Sequence, residues 1–230
     1  MQSSLTLPQA LMLLALRDDK GSLHAGYFPQ ALAGASLTEL LLAEALESDG
    51  AAKAKFTCNT IAKVDGKFLS AIADYMVQDS KPRPLKSWAE RLSQKSKFIN
   101  ILAEELCELG AVTEEKSKLL GLIPQTRWPT QDGRVEAQLI EEINAALDPN
   151  QPLINIDDKI GLLIVLAEAG GFLKPNLDKE LYKASKERLK EMKKAEFLNS
   201  KAFVKVIEET QAAIIGIIVA AAVVPAVTAG

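Results

Sequence analysis

Apolar residues recur at helical spacing along most of the chain, and the interruptions mark its turns. Thr6–Gln9 reads "TLPQ", a hydroxyl followed three residues later by Gln, with Pro8 in the first turn. That is a capping-box signature, and it predicts an apolar helix running to about Leu16, closed by a turn at "DDKG". Ala31, Leu32, Leu37, Leu40, Leu41 and Ala45 outline a second helix, stopped by "SDG". The stretch "KFTCNTIAKVDG" carries β-branched residues and turn signals, and predicts two short strands. Helices follow near 67–78, 84–93 and 96–109. Between Ala111 and Pro129, "KLLGLI" and "TRWP", joined through Pro124, predict a projecting β-hairpin. Val135, Leu139, Ile140, Ile143 and Leu147 then form an amphipathic stripe. "DKIGLLIVLAEAGG" is apolar on most sides, a long basic helix is expected from about 178 to 194, and a last helix follows. No repeat or linker divides this order, so residues 1–230 read as a single, mainly helical domain.

The last nineteen residues, "AAIIGIIVAAAVVPAVTAG", carry no charge. As a helix they would span about 28 Å, close to the ~30 Å hydrocarbon layer. A membrane anchor and a core helix both fit that length. Seven of the nineteen are Ala, which contribute little to insertion, and no Lys, Arg, Trp or Tyr flanks the C-terminal side. Upstream, Phe203, Val204 and Ile207 share a face while Lys201, Lys205, Glu208 and Glu209 lie elsewhere. A helix that begins amphipathic and turns apolar all round runs from a surface into a core.

Hydrophobic content of 48% with 5% aromatic supports an aliphatic core and excludes disorder. The net charge of −3 argues against bulk attraction to nucleic acid. Charge is uneven, however: residues 81–97 hold six Lys/Arg against one Glu, and residues 174–205 hold ten against five acids. Local excess of this kind favours anionic surfaces. Cys58 and Cys107 form no metal or redox motif and suit a reducing compartment. "LMLLAL" lacks the basic flank and cleavage site of a signal peptide.

Little in the chain points to catalysis. His24 is the single histidine and has no identifiable partner, so a surface or packing role is expected for it. Phosphate-binding glycine loops and nucleophile elbows are absent. The pairs Asp18-Asp19, Glu104-Glu105 and Asp157-Asp158 are adjacent in sequence and diverge by about 100° on a helix. Neither an enzyme nor a cofactor is expected.

Five stretches, in order, resemble the Golgi phosphoprotein 3 family: "LTLPQALMLLALRDDKG", "ALAGASLTELLLAEAL", "PLKSWAERL", "LAEELCELGAVTEEKSKLLGLIPQTRWP" and "IGLLIVLAEAGGFL". The resemblance implies a compact helical fold around a buried C-terminal helix, with a small projecting β-hairpin. It resolves the last nineteen residues in favour of the core. It also implies a protein peripheral to the cytosolic face of Golgi membranes, binding phosphatidylinositol 4-phosphate and the cytoplasmic tails of membrane enzymes. With "LTLP" beginning at Leu5, the chain resembles a pared-down, prokaryotic-type member without the basic N-terminal arm. The family's lipid site uses a Trp–Arg pair and two basic residues three apart. His24, Ala33, Ser96 and Ile99 stand at those positions, and none can supply bidentate phosphate hydrogen bonds.

The candidate lipid-binding residues are therefore Lys95 and Lys97, beside the second pair, with Arg127 and Trp128 of "TRWP" as a cation and an interfacial aromatic. Trp128 serves equally as a packing residue of the hairpin. The expected partners are an anionic phospholipid surface and protein tails, not nucleic acid. The rival is a soluble helical interaction module without lipid binding, and a weaker third reading is a tail-anchored protein. If residues 212–230 pack within the protein, Ile215→Asp will destabilise it by several kcal/mol, and the wild-type chain will purify without detergent. Circular dichroism and denaturant melts measure both, and a folded chain lacking 212–230 contradicts the core assignment.

Overall fold

Helix α1 (Leu7–Ala15) has almost no exposed face, so its polar N-terminus must be satisfied inside the protein. The computed structural model describes residues 5–17, 20–23, 27–51, 53–59, 64–119 and 122–192, and α1 lies at the centre of this set. Its free N–H groups are fully accounted for. Thr6 N–H donates to Gln9 Oε1 at 2.9 Å, and Gln9 N–H returns to Thr6 Oγ1 at 3.4 Å, completing the predicted capping box. Leu7 N–H donates to Glu39 Oε1 at 2.6 Å, and Pro8 has no N–H to satisfy. Leu11, Met12, Leu13 and Leu14 are then free to be completely buried, each contributing about 1.5–3 kcal/mol.

Around α1 pack α2 (Phe28–Leu42), α5 (Lys97–Glu108), α6 (Gly133–Leu147) and α7 (Asp158–Gly170). Helix α2 is buried over most of its circumference. Its polar Ser36 and Thr38 are accommodated because their hydroxyls donate to the carbonyls of Leu32 and Gly34, at 2.7 and 2.9 Å. A second ring comprises α3 (Lys67–Asp79), which packs on α2 and α5, and α4 (Leu85–Ser93), which packs on α2. Trp88 of α4 is fully buried, and its indole N–H donates to the Phe56 carbonyl at 2.9 Å. Glu105 of α5 accepts the Phe68 N–H at 2.8 Å and the Gln9 side chain at 3.1 Å, joining the starts of α1 and α3. Gly66 precedes this bond with φ +88°, and a Cβ there would stand 2.8 Å from Glu105 Oε1. Helix α7 is capped by Asp157, a role the sequence reading did not give it, and closes at the expected Gly170-Gly171 with Gly171 in the left-handed region. Phe172 beyond it packs edge-on against Phe28, with ring centroids 5.9 Å apart.

Several expectations need correction. The second helix ends at Leu42 rather than at "SDG", because Ala43 leaves the helical path and Glu44 takes φ 52°. Leu46–Ser48 then form a strand, β1, that pairs antiparallel with β2 (Phe56–Cys58). The strand in "KFTCNTIAKVDG" thus finds its partner upstream, across the "SDG" turn, and residues 60–63, where the second strand was expected, lie outside the described set. Pro124 does not join the hairpin strands. It lies within β4 (Ile123–Arg127), opposite Lys118 of β3 (Glu115–Leu119). The basic helix is two pieces, α8 (Lys179–Ala184) and α9 (Lys186–Met192), interrupted at Ser185, whose hydroxyl donates to the Leu181 carbonyl at 2.7 Å. His24 and the final apolar segment also lie outside the described residues. Among the described residues the architecture is mainly helical and compact, with nine α-helices and two small antiparallel hairpins.

Replacing Glu105 by Ala strands the Phe68 N–H and the Gln9 amide, and is expected to cost about 1–3 kcal/mol in urea melts. Thr6→Ala, which removes one arm of the capping box, is expected to cost about 1 kcal/mol. A Glu105→Ala value no larger than that of an exposed control such as Glu90→Ala would show that the carboxylate does not join these helices.

Candidate functional site

The turn between α4 and α5 places Lys95, Ser96 and Lys97 together at the surface. Both ammonium groups lie over the half-buried Tyr75 ring of α3, Lys95 at 5.6 Å and Lys97 at 6.0 Å from its centroid. Lys97 also stands 5.1 Å from the Phe98 ring, which itself meets Tyr75 edge-on at 5.8 Å. Two cations thus share an aromatic platform, each contact being worth about 0.5–1 kcal/mol at an exposed position. Among the described residues neither lysine has an acidic partner within salt-bridge distance.

The rest of the basic 81–97 segment is less available than its composition implies. Arg83 and Arg91 both converge on Asp79 at the end of α3, the Arg83 contact being 2.7 Å. The hydrogen bond from Arg83, together with the charges of Arg83, Arg91 and Lys81, holds the Asp79 carboxyl below its ordinary range. It therefore stays ionised, offsetting part of the local positive charge. Arg83 is further engaged over Trp88, 5.7 Å from the ring. Lys81, Lys86, Lys95 and Lys97 remain as the exposed cations of this edge.

Arg127 and Trp128 lie elsewhere. Lys97 begins α5 and the hairpin leaves from the far end of that twelve-residue helix, a separation of about 18 Å along its axis. In the hairpin register Arg127 faces Glu115, and its guanidinium donates to Gln125 at 3.1 Å. Trp128 is half-buried against the core at the foot of the hairpin. Its N–H donates to the Gly21 carbonyl at 2.7 Å, and the next carbonyl, of Pro129, accepts from Thr113 at 3.0 Å. The structure therefore groups Lys95 with Lys97, and Arg127 with Trp128, but does not bring the two pairs together. Among the described residues of this hairpin, the large apolar side chain that stands in solvent is Leu122, 83% exposed near the tip. The run "LLGLI" was its only signal in the sequence.

Ala33 and Ile99, which the resemblance in the sequence sets at two basic positions, do meet in space. They line a dent between α2, α3, α4 and α5 with Leu32, Phe98 and Lys95, and it holds about 10 Å³ of free space. That is room for one water molecule at most. Among the described residues this dent has no room for an inositol headgroup, so an anion approaching it would meet Lys95 on its lining. Among the described residues no group of three or more His, Cys, Asp or Glu could hold a metal ion, and no helix is long and apolar enough to cross a membrane.

The family model described as Golgi phosphoprotein 3 (GPP34) matches residues 7–227. A search of curated proteins finds no match.

The foot of the hairpin supplies a direct test of where Trp128 sits. Gly21 has φ +55°, and a Cβ there would fall 2.1 Å from the Pro129 nitrogen and 2.4 Å from the Trp128 carbonyl carbon. Gly21→Ala should destabilise the protein by more than about 1 kcal/mol and move the Trp128 emission to longer wavelength, while buried Trp88 is unaffected. An unchanged spectrum and melt would mean that this turn does not pack on the hairpin.

Proposed function

The chain belongs to the Golgi phosphoprotein 3 family over nearly its whole length, and from that premise we propose that it is a peripheral, membrane-associated binding protein. It is read as a non-enzymatic adaptor on the cytosolic face of a membrane, holding an anionic phospholipid surface and engaging protein tails. The observation that carries the lipid half is the exposed pair Lys95 and Lys97, held on Tyr75 with no acidic partner at salt-bridge distance among the described residues. Two fixed cations on one edge, with Lys81 and Lys86 on the neighbouring helix and its approach, make an electrostatic contact for a bilayer. The dent that Lys95 lines has room for no more than one water, which supports recognition by total surface charge rather than by one phosphoinositide headgroup. Arg127 and Trp128 are assigned a supporting part, limited by the Glu115 opposite Arg127 and the packing of Trp128.

The rival reading, a helical interaction module that has lost its lipid, draws on the same closed dent. Vesicle binding separates the two. The chain is expected to sediment with vesicles containing phosphatidylserine, and with phosphatidylinositol 4-phosphate vesicles of equal total charge to a similar degree. Raising salt from about 0.05 to 0.5 M should release it, since surface attraction is screened within a Debye length. Lys95→Glu with Lys97→Glu should weaken binding at least tenfold, at about 1 kcal/mol per lysine, with unchanged helical circular dichroism. Adding Arg127→Glu should weaken it further by a smaller factor. Absence of binding at low salt would establish the rival, and headgroup-selective binding that survives salt and the double change would place the lipid site elsewhere.

A further inference from the structure

The chain contains three Asp-Gly steps, at Asp49-Gly50, Asp65-Gly66 and Asp132-Gly133. Such a bond can rearrange without an enzyme, because glycine has no Cβ to keep its nitrogen from the side-chain carbonyl carbon of the preceding aspartate. The fold treats the three differently. In the turn between β1 and β2, the Asp49 carboxylate accepts the N–H groups of Lys55 and Ala51 at 3.0 and 3.1 Å, and Gly50 N–H donates to Ser48 Oγ at 3.2 Å. At the start of α6, Asp132 takes the Arg134 guanidinium on both oxygens, at 2.6 and 3.0 Å, and accepts the Arg134 backbone N–H at 3.0 Å. These bonds hold both carboxyls ionised, Asp132 down to a pKa of about 2. The rearrangement needs the protonated acid, whose hydroxyl departs as water. Asp65 is exposed, and neither its carboxylate nor the Gly66 N–H makes a hydrogen bond or ion pair with another described residue. Nor can Gly66 give way to a slower neighbour. It has φ +88°, and a Cβ there would stand 2.8 Å from Glu105 Oε1, the atom that holds Phe68 N–H. The glycine that the start of α3 requires therefore leaves Asp65 beside an unscreened amide nitrogen.

We propose that Asp65-Gly66 is a self-modification site, at which the folded chain ages by converting Asp65 to isoaspartate. The Gly66 nitrogen attacks Asp65 Cγ. A C–N bond forms as the Cγ–O bond breaks, and the N–H proton leaves with the hydroxyl as water. Water then reopens the five-membered succinimide. Attack at Cγ restores aspartate, whereas attack at the main-chain carbonyl carbon leaves the backbone running through Cβ and Cγ, with the α-carboxylate as the new side group. The water lost in the first step is regained in the second, and nothing else is consumed. The main chain thereby gains one methylene, about 1.5 Å of path. It enters between Val64 and Phe68, both buried in the core. The Phe68 N–H then loses its register with Glu105, the carboxylate that also holds Gln9. Ageing at one exposed bond reaches the contact that joins the starts of α1 and α3.

The test holds the full chain at neutral pH, folded or in concentrated urea, and samples it over weeks. Peptide mass spectrometry with electron-transfer fragmentation locates isoaspartate, and methylation by protein isoaspartate methyltransferase with labelled S-adenosylmethionine counts it. In the folded chain Asp65 should convert roughly fivefold faster than Asp49 or Asp132, and in urea the three rates should converge, because local restraint no longer separates them. Asp65→Glu, which would have to close a larger ring, should remove the signal at this position and leave those at Asp49 and Asp132 unchanged. Aged wild-type chain should unfold at lower urea than fresh chain, and aged Asp65→Glu should not. Absence of conversion at Asp65 in the folded chain, conversion there no faster than at Asp49 or Asp132, or a urea midpoint that ageing leaves unshifted or shifts equally in Asp65→Glu would each overturn the proposal.

Discussion

A helix can be buried on all sides only if its first turn needs no water, and α1 meets that condition through side chains supplied by other helices. The Thr6–Gln9 capping box satisfies two N–H groups locally, but Leu7 requires Glu39 of α2. Gln9, once engaged in the box, passes its remaining donors to Glu105 of α5, and the same carboxylate holds the start of α3. Glu39 in turn attracts Lys159 of α7. One small set of polar contacts thus fixes the N-terminus of the central helix and the placement of four neighbours. An unsatisfied buried N–H costs about 1–3 kcal/mol, a large share of the 5–15 kcal/mol by which a domain is stable. The aliphatic packing supplies the larger energy, but these contacts decide which packing is possible.

The same set of contacts neutralises a cation, since Lys159 is drawn to the Glu39 that holds the start of α1. At the α4–α5 turn the opposite condition holds. Asp79 gathers Arg83 and Arg91 on the neighbouring elements, while Lys95 and Lys97 rest on Tyr75 with no acid at salt-bridge distance among the described residues. The aromatic ring orients the two ammonium groups without neutralising them, which a carboxylate would have done. Exposed positive charge therefore persists at this turn on a chain whose net charge is −3.

Much of this was legible in the sequence where one local rule decided the outcome. "TLPQ" specified the cap of α1, Gly170-Gly171 the end of α7, and the 135–147 stripe the face of α6. The failures occurred where a distant partner decided. Leu46–Ser48 is too short for alternation to show, and it becomes a strand because Phe56–Cys58 lies within reach. The basic helix divides at Ser185, whose N–H and hydroxyl both donate to the Leu181 carbonyl, and composition gives no sign of that break. For the candidate site, the charge excess of 81–97 and the losses at Ala33 and Ile99 could be read directly. Neutralisation of Arg83 and Arg91 by Asp79, and the distance between Lys97 and Arg127, depend on how α3 and α5 pack and could not.

That difference bears on how a binding surface is identified from charge. Counting six basic residues in 81–97 treats each as equally available, yet two are offset by Asp79 and one of those is also spent on Trp88. What a bilayer can meet is the remainder, and its attraction falls within a Debye length. A pocket that grips a phosphate works differently, since bidentate guanidinium bonds act at contact and resist salt. A dent with room for no more than one water, such as the one lined by Ala33 and Ile99, offers no space for the contact mode, whereas Lys95 and Lys97 stand exposed to the long-range one. A weak, charge-reading membrane contact has little power to choose among anionic membranes.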